Sequence, residues 1–299
     1  MIFFDIWTFW DVLPKIGGYD RRHVGYKTLY QYLKGGLEII MKLSVKFILA
    51  LLVILGLMSG CAEKDQLEDG SKLINEDQFI FASSGEFKPF SYVNDDMTVT
   101  GFDVEVGTAI AKELGLEAVP KRIKFKGIVE GVKTGRADAA VASHTINEQR
   151  SKHVSFSTPY YYSGPQIFVR PDSDIETIED LKGKEVAASK GSTYANTAEE
   201  YTTNVKTYDS DITALKALSG GRHDAVITDF VTGKEAVKEG FEIEGRQLIE
   251  RSEQAIVLPQ DNPELLARVN AALDNLREDG TLAEISKKYF GEDITTKPE

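Results

Sequence analysis

Residues 142–150 bring an arginine, a hydroxyl and free backbone groups together within one short segment. They follow an apolar run, 137–141, that predicts a buried strand, and Asn147 is a good N-cap for a helix that starts just after it. An arginine at such a junction can hold a carboxylate through two parallel hydrogen bonds, while Thr145 and the carbonyl of Ser143 can accept from an ammonium. The segment therefore predicts half of a site for a molecule that carries both groups, such as a free α-amino acid. For this segment alone, the alternative is that Arg150 is an ordinary solvated arginine.

Two further segments could complete such a site. Ser192 and Thr193 follow a predicted strand at 185–188 and begin a predicted helix, whose free N–H groups suit an anion such as a carboxylate. An ordinary strand-to-helix turn is the alternative here. Asp229 is a natural partner for an ammonium. It can also cap the helix predicted at 230–238, and the two roles are compatible.

A short internal repeat relates these segments. Gly-Arg-Ala-Asp-Ala at 135–139 and Gly-Arg-His-Asp-Ala at 221–225 each close a predicted helix and begin an apolar strand. Ser143 stands five residues after Asp138, and Asp229 stands five residues after Asp224. We therefore predict two similar lobes that present polar groups at equivalent strand ends and close on a ligand between them.

Predicted strands alternate with predicted helices along the chain. Strands at 79–82 and 118–123 flank an amphipathic helix at 102–114, which Gly115 ends. Further on, helices are predicted at 212–219 and 263–278, with a returning strand at 254–258. The alternation predicts the α/β class with mixed, mostly parallel sheets.

The N-terminal region predicts a targeting signal. Lysines after Met41, an apolar run at 47–58 and small residues before Cys61 have the layout of a secretory signal. The layout resembles a bacterial lipoprotein signal peptide, 41–60, after which Cys61 receives the lipid, including palmitate, and becomes the new N-terminus. A membrane-spanning anchor is the alternative, but the apolar run is shorter than the roughly 20 residues it needs. Residues 1–40 are then an N-terminal extension ahead of the true start, and the polar residues 61–76 are a flexible tether.

Composition argues against several classes of function. Cys61 is the only cysteine among 299 residues, so neither a disulfide framework nor a thiolate metal site is expected. A net charge of -12 argues against nucleic-acid binding as a main role. The chain beyond the tether is long enough for one large or two medium domains.

Several motifs, taken in order, resemble one known family. They are Lys-Pro-Phe at 88–90, Gly-Phe-Asp-Val-Glu-Val at 101–106, Thr145 with Arg150, Phe-Ser-Thr-Pro-Tyr-Tyr at 156–161, and Leu-Arg-Glu-Asp-Gly-Thr at 276–281 with Lys-Tyr-Phe at 288–290. Together they resemble the family 3 extracellular solute-binding proteins, the amino-acid receptors of ABC importers. The resemblance implies a type II periplasmic-binding fold, in which two Rossmann-like lobes are joined by a two-strand hinge. Lobe 1 would comprise 77–160 and 256–292, and lobe 2 would comprise 161–255.

The same resemblance assigns roles within the site. It implies that Arg150 binds the ligand carboxylate, assisted by the Thr193 N–H and Ser192, and that Asp229, Thr145 and the Ser143 carbonyl surround the ammonium. Phe87 and Phe125 would be aromatic walls, with plain core packing as the alternative for Phe125. Many relatives that take glutamine or basic amino acids carry an aspartate at the position of Ser84. The serine therefore favours a polar, uncharged amino acid such as cystine or glutamine.

These features predict the extracytoplasmic binding component of an ABC importer for a polar amino acid. The protein is expected to be a monomer without a cofactor, lipid-anchored in the periplasm or on a Gram-positive cell surface, and to present its ligand to the membrane permease. The main alternative is a dehydratase of the same fold, which would need a positioned acid with a raised pKa. Glu86 is the acid that the sequence offers near the site, and no second catalytic group is paired with it. The sensing lobe of a receptor and an adhesin are further alternatives.

Overall fold

The fold is described by a computed structural model that covers residues 65–66 and 70–298. The predicted extension, the signal peptide and Cys61 lie outside these residues. Within the predicted tether, β1 (Asp65–Gln66) pairs antiparallel with β2 (Lys72–Leu73). Leu73 is fully buried. The side-chain amide of Asn262 binds both the N–H and the carbonyl of Lys72, the preceding residue. The prediction of a flexible tether is therefore wrong for its last residues, because an apolar side chain anchors them to the core.

The first lobe alternates strands and helices as predicted. Its elements in chain order are β3 (Gln78–Ser83), β4 (Glu86–Phe87), β5 (Ser91–Val93), β6 (Val99–Thr100), α1 (Phe102–Glu113), β7 (Glu117–Arg122), a 3₁₀ helix (Phe125–Gly127), α2 (Ile128–Lys133), β8 (Ala139–Thr145), α3 (Glu148–Ser151), β9 (Ser155–Phe156) and β10 (Tyr161–Ser163). Gly115 has a φ of 73° and follows α1, as expected of a glycine that ends a helix.

The second lobe and the returning segment follow. Their elements are β11 (Pro165–Val169), a 3₁₀ helix (Ile178–Leu181), β12 (Val186–Ser189), α4 (Thr193–Tyr201), β13 (Val205–Tyr208), α5 (Asp211–Ser219), β14 (Ala225–Asp229), α6 (Phe230–Lys238), β15 (Glu244–Leu248), β16 (Ser252–Leu258), α7 (Pro263–Glu278) and α8 (Thr281–Phe290). The helices predicted at 230–238 and 263–278 are confirmed to the residue. In the ranges that the structure describes, no helix combines the length and apolar character needed to cross a bilayer.

Each lobe is built on one mixed sheet, which confirms the α/β class. The first has the strand order β10-β16-β8-β3-β7, with β9 also on β16, and the second has the order β13-β12-β14-β11-β15. β3 pairs parallel with β7 and β8, and β12 pairs parallel with β13 and β14. Every pair that includes β11 or β16 is antiparallel, so antiparallel pairing is more extensive than the sequence suggested. The reason is that both strands start at the connection between the lobes, where the parallel strands end.

Both faces of the central strands are buried. Along β3, Phe79 and Phe81 point into one apolar cluster, and Ile80 and Ala82 point into another. Strands covered on both faces carry continuous apolar runs, which explains why these segments lack polar alternation. Polar groups are therefore left at the strand ends, where the site lies.

The internal repeat has a structural role. The carboxylate of Asp138 accepts a hydrogen bond from the N–H of Ile80 at 2.8 Å, and that of Asp224 accepts one from the N–H of Glu185 at 2.7 Å. Each aspartate thus ties the start of β8 or β14 to the neighbouring strand. The polar residue five positions later falls near the far end of the same strand in both lobes.

Two short segments connect the lobes. The chain passes from β10 to β11 through Gly164, and it returns from β15 to β16 over 249–251. Since β10 and all of β16 belong to the first sheet, these crossings lie a few residues from the predicted lobe boundaries at 160/161 and 255/256. A Cβ placed on Gly164 would lie 2.0 Å from the carbonyl oxygen of Glu250. The two crossings therefore touch at a point where only glycine fits.

We expect Gly164→Ala to destabilise the protein by about 1–3 kcal/mol, because the added methyl group must displace backbone rather than a flexible side chain. Thermal unfolding of the ligand-free protein measures the effect. Gly220→Ala is the matched control, since its Cβ would meet its nearest neighbour at an ordinary 3.4 Å. Equal melting temperatures for the two variants would contradict the close contact of the crossings.

Candidate functional site

A cavity lies between the two lobes. Its first-lobe wall is formed by Ser84, Glu86, Phe87, Phe125, Ser143, Thr145 and Arg150. Its second-lobe wall is formed by Ser189, Ser192, Thr193, Tyr194, Asp209 and Asp211. Every residue that the sequence predicted for ligand contact, except Asp229, lines this one cavity.

Arg150 stands in the short helix α3, which Asn147 caps by accepting from the Arg150 N–H at 2.8 Å. Its guanidinium donates to the carbonyl of Thr145 at 3.0 Å and, across the cleft, to that of Gly191 at 3.3 Å. Burial lowers the pKa of Arg150 to about 10, and no carboxylate in the described chain pairs with it. A half-buried cation held by two neutral carbonyls keeps its charge available for an anion in the cavity.

The start of α4 faces Arg150 from the second lobe. The hydroxyl of Ser192 accepts from the N–H of Ala195 and donates to the carbonyl of Ser189, so it acts as the helix cap. This leaves the first N–H groups of α4, beginning with that of Thr193, as the donors for an anion. Thr193 also lies across the cleft from Thr145, with 3.4 Å between their hydroxyl oxygens.

Ser143 has a left-handed backbone with a φ of 55°. It lies at an irregularity of β8, where the register against β16 shifts between Ala255 and Val257. The predicted strand end at residue 141 is therefore wrong: β8 continues through the irregularity to Thr145. A single non-glycine residue in this conformation is strained unless its surroundings hold it.

A buried carboxylate holds Ser143 in place. The Ser143 hydroxyl donates to the Asp103 carboxylate at 2.9 Å. The Ser143 N–H donates to the hydroxyl of Tyr160, which in turn donates to the same carboxylate at 2.6 Å. Burial raises the pKa of Asp103 to about 7. With the hydroxyl and the N–H both bonded to this network, the carbonyl is the polar group of Ser143 that remains for a ligand.

Asp229 is fully buried and forms no part of the cavity wall, in contrast to the direct contact predicted from the sequence. One carboxylate oxygen accepts from the N–H of Val231 at 2.9 Å and thereby caps α6. The other accepts from the hydroxyl of Tyr194, which does line the cavity, at 3.0 Å. Tyr194, which sequence reasoning did not identify, therefore lies between the cavity and Asp229.

The two predicted aromatic walls are present on the first lobe. Phe87 stacks on Phe90 with 4.9 Å between ring centroids. Phe125 stacks on His144 at 4.6 Å and lies 5.8 Å from the guanidinium carbon of Arg150. Phe125 thus both packs against its own lobe and supports the arginine, so its two predicted roles coexist.

The structure adds acidic residues to the site that the sequence did not single out. Asp211 begins α5, lines the cavity and accepts from the hydroxyl of Thr228 at 2.6 Å. Burial raises the pKa of Asp211. Glu86, the acid that the sequence offered near the site, is also part of the wall. The position of Asp211 at a helix start, shortly after a strand, was the available signal. No cluster of three or more potential metal ligands occurs among the residues described.

The affinity for an amino acid should fall at acid pH. Burial raises the pKa of Asp229 to about 6, and the groups around it are Tyr194, Asp211, Asp103 and Tyr161. Below that pH the ligand-free protein holds a neutral Asp229, which cannot pair with an ammonium. We expect affinity to weaken by up to about tenfold for each pH unit below 6, measured by calorimetry between pH 4.5 and 8. Asp229→Asn should flatten the profile; an unchanged profile would exclude Asp229 as the titrating group.

The chain is similar to one known protein family and to solved structures. The model of the family described as bacterial extracellular solute-binding proteins, family 3, matches residues 79–292. The L-cystine-binding protein TcyJ of Escherichia coli K12 is 34% identical over 248 residues, which cover 80% of this chain and 93% of that protein. The probable amino-acid-binding protein YxeM of Bacillus subtilis 168 is 33% identical over 269 residues, covering 86% and 99%.

A solved structure matches the fold at similar identity. An ancestral arginine-binding protein bound to glutamine aligns with a TM-score of 0.69 and 32% identity, over 73% of this chain and all of that one (100%). The matched part contains both lobes, since the family match spans β3 to α8. The two-lobed architecture is thus the one that this group of proteins uses.

Proposed function

The chain belongs to the bacterial extracellular solute-binding proteins of family 3, and from this membership we propose that it is the binding component of an ABC importer for a polar amino acid. One observation carries the proposal. Within the described chain, one lobe contributes a half-buried arginine without a carboxylate partner, and the other lobe holds a buried aspartate without a basic partner. A zwitterion supplies the missing partner to each.

Arg150 and the start of α4 would bind the carboxylate, while Thr145, the Ser143 carbonyl and Tyr194 would bind the ammonium and Asp229, behind Tyr194, would supply the negative charge. The two charges that need partners belong to different lobes, so a zwitterion satisfies both only when the lobes are closed. Ligand binding therefore favours the closed arrangement, in which the permease would recognise the protein.

Cross-cleft contacts fit a closed arrangement. Lys88 of the first lobe pairs with Glu239 of the second at 2.5 Å, and Lys124 pairs with Asp209 at 2.5 Å. These pairs are solvent-exposed, so each contributes only about 0–1 kcal/mol. The ligand, rather than these pairs, would supply most of the energy of closure.

We also propose that the protein is a monomer tethered outside the cell membrane by lipid on Cys61. The support is the signal layout before that cysteine. Intact-mass analysis of the native protein tests the anchor: a mass that includes diacylglyceryl and palmitoyl groups on Cys61 is expected. A retained peptide ahead of Cys61 would contradict it, and size-exclusion chromatography with light scattering tests the monomer.

The proposed role is binding without catalysis. The relatives named above are described as binding proteins. The acids with a raised pKa near the cavity, Asp211 and Asp229, are the groups that the dehydratase alternative would require. Because its relatives are described as binding proteins, we expect the protein to release no aromatic keto acid from prephenate or arogenate. Release at enzymatic rates would establish the dehydratase alternative.

The decisive experiment is a ligand screen on residues 62–299 after unfolding and refolding to remove any bound ligand. A ligand at 100- to 1,000-fold excess over its dissociation constant adds about 3–4 kcal/mol to the unfolding free energy. We expect one or a few amino acids to raise the melting temperature by about 5–15 °C. If none of the proteinogenic amino acids, cystine or ornithine shifts it, the proposed function is wrong.

A further inference from the structure

The cavity wall carries three carboxylates and one basic side chain. Glu86, Asp209 and Asp211 are the acidic residues that line it, and Arg150 is the basic one. Since Arg150 is assigned to the ligand's α-carboxylate, the carboxylates must find their partners elsewhere.

One of the three has its partner in the protein. Asp209 forms an ion pair with Lys124 at 2.5 Å, and both side chains are more than half exposed, at 59% and 65%. This pair lies at the solvent-exposed rim of the cavity and is neutral as a unit.

The other two carboxylates are less well paired. Glu86 is only 13% exposed, and its sole ion-pair contact within the described chain is with Arg122 at 3.5 Å, the limit for a hydrogen bond. Asp211 is 5% exposed and accepts from a neutral hydroxyl, that of Thr228. The buried hydroxyl of Ser189 lies beside Asp211 yet makes no hydrogen bond of regular geometry. This part of the wall thus contains two carboxylates that can accept further hydrogen bonds, together with the Ser189 hydroxyl.

The two under-paired carboxylates come from opposite lobes. Glu86 belongs to β4 and Asp211 to α5, and these two elements are in contact across the cleft. Closing the lobes brings like charges toward each other out of water, which is unfavourable unless a cation enters between them.

We propose that the ligand's side chain ends in a cationic nitrogen, an ammonium or a guanidinium, which binds between Glu86 and Asp211 and makes Glu86 a specificity-determining residue. This inference rests on the proposed amino-acid site and names the side-chain class that it accepts. It replaces the uncharged side chain expected from Ser84, because a carboxylate two residues later supplies the acidic group. The Ser84 hydroxyl accepts from the Glu86 N–H at 3.2 Å and so helps to hold that loop.

Two kinds of amino acid carry such a nitrogen. Basic amino acids, such as lysine or arginine, present it alone. Cystine presents it as a second ammonium together with a second carboxylate. Both kinds of amino acid can pair with Glu86 and Asp211, and matched ligands distinguish them.

The test is isothermal titration calorimetry on the refolded protein with pairs of ligands that differ in the distal charge. Arginine is compared with citrulline, lysine with N6-acetyllysine, and cystine with the mixed disulfide of cysteine and 3-mercaptopropionamide, whose distal end is uncharged. For the ligand class that binds, the cationic member should bind at least about tenfold more tightly than its neutral-ended partner.

The Glu86→Gln variant should reduce that preference to about threefold or less by weakening the cationic ligand, while the neutral-ended partner keeps its affinity. Glu130→Gln, a surface glutamate on α2 that pairs with Lys133, is the matched control and should preserve the preference. An equal preference in wild type and Glu86→Gln would overturn the role of Glu86.

The outcomes separate this inference from the proposed function. If glutamine or another neutral amino acid binds more tightly than every cationic ligand, the amino-acid site stands and the cationic specificity is wrong. If no amino acid binds at all, both fall.

Discussion

Replacing Arg150 with alanine should reduce the affinity for the amino-acid ligand by about 100-fold or more, because truncating one partner of a buried charge pair typically costs 2–5 kcal/mol. Titration calorimetry on refolded protein measures the loss. Arg150→Lys should recover only part of it, since an ammonium cannot form the two parallel hydrogen bonds that a guanidinium forms with a carboxylate.

The fold should survive this substitution. In the ligand-free protein Arg150 is a half-buried cation without a carboxylate partner, so its removal relieves desolvation while it deletes hydrogen bonds to two carbonyls. We expect Arg150→Ala to unfold cooperatively. Arg136→Ala, an exposed arginine of the same lobe, should bind as the wild type does. Binding by Arg150→Ala within tenfold of wild type would remove Arg150 from the site.

Replacing Asp229 with asparagine should also weaken binding, by about 30-fold or more, through loss of the negative charge that lies behind Tyr194 and would stabilise the ammonium. Asparagine is the informative choice because it is as good a helix cap as aspartate. It can still accept from the Val231 N–H, so α6 should keep its start. Affinity measured at pH 7.5, well above the pKa of about 6, isolates the effect of the charge.

A ligand analogue provides the internal control for Asp229. The α-hydroxy acid that corresponds to the ligand lacks the ammonium, so its weak binding should be the same in wild type and Asp229→Asn. Asp279→Asn, at an exposed position after α7, should leave all affinities unchanged. An equal loss for the ligand and its hydroxy-acid analogue would mean that Asp229 acts through the fold and not through the ammonium.

Local sequence signals determined the elements and much of the site. The helices Phe230–Lys238 and Pro263–Glu278 were predictable because their caps, Asp229 and Asn262, are short polar side chains that bond to the first turn. Arg150, Thr145, Ser192 and Thr193 were predictable because a parallel strand delivers the residues after it to one edge of its sheet. The family motifs add the roles of these residues, since a resemblance conveys ligand chemistry that periodicity does not.

Tertiary structure alone decided how these groups are presented. The left-handed conformation of Ser143 depends on Asp103 and Tyr160, which are 40 and 17 residues away along the chain. Because β16 pairs with β8 in a shifted register, β8 continues beyond its predicted end. This pairing depends on β16, which follows more than 100 residues later in the chain. No local propensity can specify such contacts, because each depends on which distant strand arrives beside it.

Tertiary structure also decided how the charged residues of the site are buried and paired. That Tyr194 covers Asp229, and that the elements carrying Glu86 and Asp211 come into contact across the cleft, follows from how two lobes, each folded on its own sheet, close against each other. The sequence by itself determined which residues stand at strand ends and helix starts, since those positions follow from local hydrogen bonding and periodicity. The depth, partner and charge balance of each residue were decided by the tertiary structure, because burial and pairing depend on neighbours that only the folded chain brings together.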